Sequence, residues 1–300
     1  MKRIIWLLLI LLICLLTYNY KDEILVYYNK YYESKNFVPT QLDNNEYSRN
    51  YNFKYVSLTD NFLPNNKQDI MNIYYTVINS GMNEFTFYCK SEYVNCLNDV
   101  RDIANNQTTI SNINNFVHPY NGFKDLETEM DTIGKVNIKI NRNYTSDMIT
   151  ILNYEIDKII TNNINSNMSS MDKIKVIHDY IINHTKYDED RSDKNTIKYK
   201  SDTAYGALIE GHALCGGYTD AMMLFLERFN IKSYKIASEN HVWNYVYLNN
   251  KWYNLDLTWD DPVSRDGKDI LEHNFFMISE DEMLKLDTTE HTFDKTVYSE

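Results

Sequence analysis

Basic charge is what this sequence most lacks. Against 42 Asp and Glu it sets only 30 Lys and Arg, a formal net charge of -12 over 300 residues. Affinity for phosphate backbones comes from clustered Lys and Arg that release counterions, so nucleic acid is excluded as an expected partner. Glycine and proline are scarce, at 8 and 4 residues, beside 26 tyrosines. That bias reads as genome composition and carries no mechanism. Cysteine is confined to positions 14, 89, 96 and 215. No His or Cys set stands at a recognised ligand spacing, His118 being the nearest candidate to the 89/96 pair, so neither a metal nor a cofactor is expected.

Long apolar runs are also missing, apart from one at the start. Lys2 and Arg3 precede an unbroken stretch from Ile4 to Leu16. It is shorter than the roughly 17 to 25 residues of a spanning helix. No small-x-small cleavage site follows in Thr17 to Lys21, and Ile13 is too bulky for lipoprotein processing at Cys14. Residues 1–20 therefore read as an uncleaved signal anchor with its positive end inside, the alternative being a cleaved signal peptide. Either way the rest of the chain is expected outside the cell membrane, where disulfides persist, and a structural bridge between Cys89 and Cys96 is expected there.

The 43% hydrophobic content suffices for one large core or two smaller ones. Residues 21–50 are polar, tyrosine-rich and without clear periodicity, which suggests a stalk. Residues 51–144 read as an N-terminal α+β region. Ile70, Ile73, Tyr74 and Val77 recur at helical spacing up to Gly81, Glu84 to Tyr88 alternates as a strand, Val94, Leu97, Val100 and Ile103 suggest a helix, and Val136, Ile138 and Ile140 a further strand. From 145 to 300 a catalytic domain is expected, with its core at 170–279. Thr145 is placed to cap a helix carrying Met148, Leu152, Ile156 and Ile159. A second helix from near Ser170 carries Ile174, Ile177 and Ile181, with His178 and His184 read as packing residues.

The chemistry gathers further on. In Gly211-His-Ala-Leu-Cys-Gly-Gly-Tyr218 the cysteine precedes a helical pattern of Tyr218, Ala221, Met222 and Phe225, which puts Cys215 in the first turn of a helix. There the helix dipole favours a thiolate, and unpaired N–H groups can receive an oxyanion, with Gly216 leaving room for substrate. Tyr234 and Ile236 mark a short strand. Asn249-Asn250 then interrupts two strand-like runs, and Asn tolerates the positive φ of a two-residue hairpin turn. With Leu248 opposite Lys251, Trp243 faces Asp256, and His241 falls diagonal to Asp256 on the same sheet face, about 7 to 8 Å away at the backbone. A nucleophile, a base and an orienting carboxylate are the three roles of thiol acyl transfer. Trp243 is placed to wall a substrate channel. The acidic run Asp260, Asp261, Asp266 and Asp269 does not fit an EF-hand and reads as a solvated loop.

Three segments resemble the signatures of transglutaminase-like domains: GHALCGGY at 211–218, HVWN at 241–244 and KWYNLDLTWDDP at 251–262. The resemblance implies a papain-like α+β fold, a nucleophile helix packed on a small antiparallel sheet. Carried over residue by residue it implies Cys215 as nucleophile, His241 as base and Asp256 as carboxylate. Tyr205 corresponds to a position that in some relatives helps to stabilise the oxyanion. The implied activity is attack on a carboxamide or peptide carbonyl of a protein substrate, giving a thioester resolved by an amine or by water. A protease or cell-wall amidase and a non-catalytic binding module are the alternatives.

Overall fold

The computed structural model describes residues 2–263 and 270–298. Two consecutive helices open it, α1 over Lys2–Asn19 and α2 over Lys21–Asn36. Among the described residues no helix is long and apolar enough to cross a membrane. The segment read as a stalk is thus helical in its first half. Its second half is tied down: Arg49 is buried, ion-paired to Glu227 and 3.3 Å from the Ser233 carbonyl it donates to. A polar sequence hid this because its fixed points are single buried polar groups, which have no period.

The lead-in region follows. Helix α3 (Lys67–Ser80) starts at Asn66, whose side chain accepts the Asp69 N–H, and stops at Gly81, where φ is +84°. Strand β1 (Glu84–Tyr88) leads to helices α4 (Cys96–Asn105) and α5 (Gln107–Asn114), then to strands β2 (Phe123–Met130) and β3 (Lys135–Arg142). The sheet order is β1-β3-β2, antiparallel throughout. Val136, Ile138 and Ile140 of the central strand point into the core. Cys89 and Cys96 are disulfide-bonded and join the end of β1 to the start of α4. Val94, expected on that helix, lies before it and is exposed.

Helices α6 (Ser146–Asn163) and α7 (Ser170–His184) carry the caps that the sequence offers. Thr145 accepts the Met148 N–H, and Ser169 with Asp172 forms a capping box that satisfies two orphan donors reciprocally. Strand β4 (Lys186–Tyr187), helix α8 (Glu189–Lys194), a π turn at Gly206–Glu210 and strand β5 (His212–Ala213), parallel to β4, connect to helix α9 (Cys215–Arg228). A second antiparallel sheet, β6 (Ser233–Ala237), β7 (Val242–Leu248) and β8 (Lys251–Leu255), packs on α9. Helices α10 (Glu280–Leu286) and α11 (Lys295–Tyr298) close the described chain.

The fold is mixed α and β with small antiparallel sheets. Alternation along the second sheet explains how its parts cohere. Val246 and Leu255 face the core built by α6, α7 and α9, while Tyr234, Ile236 and Trp243 face the core of the lead-in region. The core under Trp243 also takes in Phe275, Met283, Val297 and Tyr298 from the C-terminal part of the chain, so each of the sheet's two faces packs on a core. Between them Lys235 reaches Asp220 of α9 at 3.0 Å, and Tyr144 donates to the other oxygen of that carboxylate at 2.7 Å. All three are buried, so neither charge is left unpaired.

Candidate active site

The hairpin forms in the expected register. Asn249 and Asn250 adopt φ of 53° and 61°, and Leu248 pairs with Lys251, running to Asn244 opposite Leu255. Two positive φ values make the primed turn whose twist matches paired strands. Beyond that pair the strands part, because Asp256 turns away and its N–H donates to the Phe275 carbonyl instead. The parting brings the side chains together. His241 Nε2 and Asp256 Oδ2 lie 2.5 Å apart, and both residues are buried.

Cys215 is the first residue of α9, half-buried, with Leu214 as an N-cap that offers no side-chain acceptor. The leading N–H groups of such a helix have no intrahelical partner. The Cys215 sulfur acts on the His241 imidazole and favours its proton. Nε2 being held by Asp256, the nitrogen left for the sulfur is Nδ1. Burial opposes a charge on His241, but the adjacent Asp256 carboxylate, their hydrogen bond and the Cys215 sulfur push the imidazole up to about 10. Burial likewise opposes the Asp256 anion, yet His241 and a second imidazole, His291, hold its carboxyl well below the usual range.

Residues 158–257 match the family model of the transglutaminase-like superfamily. The match begins inside α6 and ends just after Asp256. Among solved structures the chain is similar to one described as the crystal structure of a TGase, at 16% identity over 56% of this chain and 50% of that one, with a TM-score of 0.36. It is also similar to a candidate cysteine protease from Cytophaga hutchinsonii, at 12% identity over 49% of this chain and 65% of that one, with a TM-score of 0.28. The chain thus spans half of the first and under two thirds of the second. No curated protein matches.

Around this transglutaminase-like segment several expectations change. Trp243 walls no channel: it is fully buried, its Nε1–H donates to Asn254 Oδ1 at 2.8 Å, and its ring lies nearly parallel to that of His241 at 5.7 Å. A tryptophan whose N–H finds a buried partner is a core residue, and here it backs the imidazole. Tyr205 packs half-buried against the helical core at the start of the π turn, with the Lys200 ammonium over its ring. Tyr187 is half-buried, and its phenol is raised by burial, against the pull of Ser192, with a further contribution from Cys215. The two glycines also answer to packing before substrate. A Cβ on Gly217 would stand 2.3 Å from the Ser201 carbonyl oxygen, and one on Gly216 would stand 3.3 Å from that of Asp202.

The solvated-loop reading fails for Asp260 and Asp261, while Asp266 and Asp269 lie outside the described residues. Asp260 is fully buried, accepts the Phe275 N–H at 2.9 Å and faces His178 Nε2 at 3.1 Å. Asp261 accepts the Tyr218 hydroxyl. His178, read as a packing residue, is buried with a carboxylate at each ring nitrogen, Asp179 being the second at 2.9 Å. His178, Asp179 and His273 bring ligand-type atoms within 4.8 Å of one another, as do His241, Asp256 and His291. Hydrogen bonds account for both groups, and in the first the Lys175 ammonium contacts Asp179 at 2.7 Å and His273 at 2.8 Å. His291, fully buried and 2.8 Å from Asp256 Oδ2, had no signal in the sequence: it stands 35 residues further on, in a polar stretch without period.

Proposed function

We propose that the protein is a thiol enzyme that acts on carboxamide or peptide carbonyls of a protein or peptide substrate. The observation that carries this reading is the buried pair of His241 and Asp256, 2.5 Å apart, with Cys215 at a helix start and its sulfur raising the same imidazole. In the reading, the Cys215 thiolate attacks the carbonyl carbon and the charge passes to the carbonyl oxygen, which meets the leading N–H groups of α9. Collapse re-forms the carbonyl and expels the amine, or ammonia from a carboxamide, with the proton given by the His241 imidazolium. A thioester remains. His241, now neutral, takes a proton from an incoming amine or water, whose attack releases the acyl group and restores the thiol. Asp256 stays ionised and orients the ring.

Amine and water lead to crosslinking and to deamidation or proteolysis respectively. The test incubates the purified protein with a primary amine and a library of glutamine-containing peptides and reads products by mass spectrometry. Amine adducts or deamidated products absent with Cys215→Ala are expected. Unchanged peptides from both proteins would sink the reading and favour a binding module.

The same reading places the enzyme outside the cytoplasm and held at the cell membrane by the N-terminal segment. Its support is the basic-then-apolar leader and the Cys89–Cys96 disulfide, a bond kept in oxidising compartments. Free, alkylatable thiols at both positions in native material would contradict it.

A further inference from the structure

A second imidazole that meets Asp256, that of His291, lies outside the matched segment and plays no part in the chemistry above. His291 Nε2 is 2.8 Å from Asp256 Oδ2, the same oxygen that His241 uses, and its Nδ1 is 2.9 Å from Asp287 Oδ2. Each of its ring nitrogens thus meets a carboxylate oxygen, an arrangement that N–H donors satisfy. Asp287 also builds the turn that delivers the ring. Its carboxylate accepts the N–H groups of Thr289 at 3.1 Å, Glu290 at 2.8 Å and His291 at 3.0 Å, together with the Thr289 hydroxyl. Around the junction, Trp243, Trp259 and Phe275 all have ring centroids within 5.1 Å of the His291 ring. Such a sealed surround excludes water and leaves the interactions inside it little screened.

We propose that His291, supported by Asp287, is a positioning residue of the site: it shares the Asp256 oxygen with His241 and so sets how strongly that carboxylate pulls on the imidazole. The proposal rests on the thiol-enzyme reading. The charged and titratable groups around the junction are Cys215 from α9, His241 just before β7, Asp256 after β8, and Asp287 beyond α10, with Tyr187 under the influence of both Cys215 and Glu290. Removing the His291 donor leaves the Asp256 charge less offset. The local potential becomes more negative, so the imidazolium holds its proton more tightly and the thiolate forms less readily. Both limbs of the ion pair's pH profile then move the same way, upward. Loss of packing alone would lower the melting temperature and leave the limbs in place.

The test reads alkylation of Cys215 by iodoacetate against pH, at the Cys215 peptide, in the full-length protein, with the wild type, His241→Ala, His291→Leu and His291→Gln. An anionic reagent is drawn by the imidazolium, so its rate rises as the thiolate forms and falls as the imidazolium is lost. His291→Leu keeps the pocket filled and dry without a donor. The expected result is an upward shift of its acid limb by about one unit, roughly tenfold less thiolate at a given pH on that limb. His291→Gln, which restores an N–H donor, is expected to return most of the shift. Should His291→Leu not fold, His291→Met fills the same space and takes its place. A leucine or methionine profile that superimposes on the wild type, with only a lower melting temperature, overturns the proposal. If instead the wild-type profile does not change in His241→Ala, it is the thiol-enzyme reading that fails.

Discussion

At the scale of single residues, Asp256 is held at both of its oxygens. Its Oδ1 accepts the N–H groups of Thr258 at 2.9 Å and Trp259 at 3.3 Å, while its Oδ2 faces two imidazoles. Asparagine cannot satisfy both sides as aspartate does. Its oxygen must take the backbone donors, so its NH2 turns to the imidazoles, which must then accept at Nε2. His241 would carry its proton on Nδ1, toward the sulfur, and could no longer take one from it. Asp256→Asn is therefore expected to lower turnover by up to about 10⁴-fold, by analogy with the same substitution in serine triads. The nearby Asp260 is expected to fail differently. Asp260→Ala strands the buried His178 ring and the Phe275 N–H, costing about 3 kcal/mol in chemical denaturation, with turnover of the folded fraction within a few fold. Wild-type turnover in Asp256→Asn, or dead but fully stable Asp260→Ala, would exchange the two roles.

At the scale of elements, the start of α9 is fixed by what presses on it. Leu214 N–H donates to the Ser201 carbonyl at 2.8 Å, and that same carbonyl oxygen, with the Thr203 carbonyl behind it, passes so close to α9 that only glycine fits at 217. In an open helix, Gly→Ala would gain roughly 1 kcal/mol in propensity. Here the clash costs about 1 to 3 kcal/mol and outweighs it. Gly217→Ala is expected to lose stability in a denaturant titration and to shift the Cys215 backbone, while Gly216→Ala, at 3.3 Å from its nearest neighbour, stays near neutral. A stabilised Gly217→Ala would show that the 201–203 segment yields. Elements with a strong period were legible in the sequence: α3, α6, α7 and β3 fall where apolar spacing puts them. Strand β2 was not, because FKDLETEM is an edge strand with no buried residue, nor was α5, whose QTTISNIN is nearly all polar. The site divides on the same line. Cys215 announces itself by its helix, and His241 with Asp256 by a hairpin whose turn residues fix the register. His291, Asp287 and Asp260 are buried polar partners chosen by tertiary approach, which leaves no periodic trace.

At the scale of the whole molecule, the His241–Asp256 pair ties stability to pH. The imidazole is held up at about 10 against an ordinary 6.5, so its contribution is complete below 6.5 and lost as pH rises through about 10. The Asp256 carboxyl is held down from 3.8, so its contribution is present above that value and lost as pH falls below it. The melting temperature should accordingly decline between about pH 6.5 and 10, and this decline should flatten in His241→Ala. An alkaline slope equal in the two proteins would assign it to other groups.

The sheet whose strand β7 begins just after His241 packs on a core at each face. Tyr234, Ile236 and Trp243 join the core that the lead-in half shares with Phe275, Val297 and Tyr298, and Val246 and Leu255 join the helical core. Genetic evidence on this protein has to be read with that in mind. A screen for inactive alleles will collect substitutions beneath the sheet, at Phe53, Phe116 or Ile138, alongside those at Cys215, because whatever loosens the lower layer tilts the strand above it. An allele's silence alone therefore does not nominate a chemical residue, and only those whose product still melts normally point to the reaction.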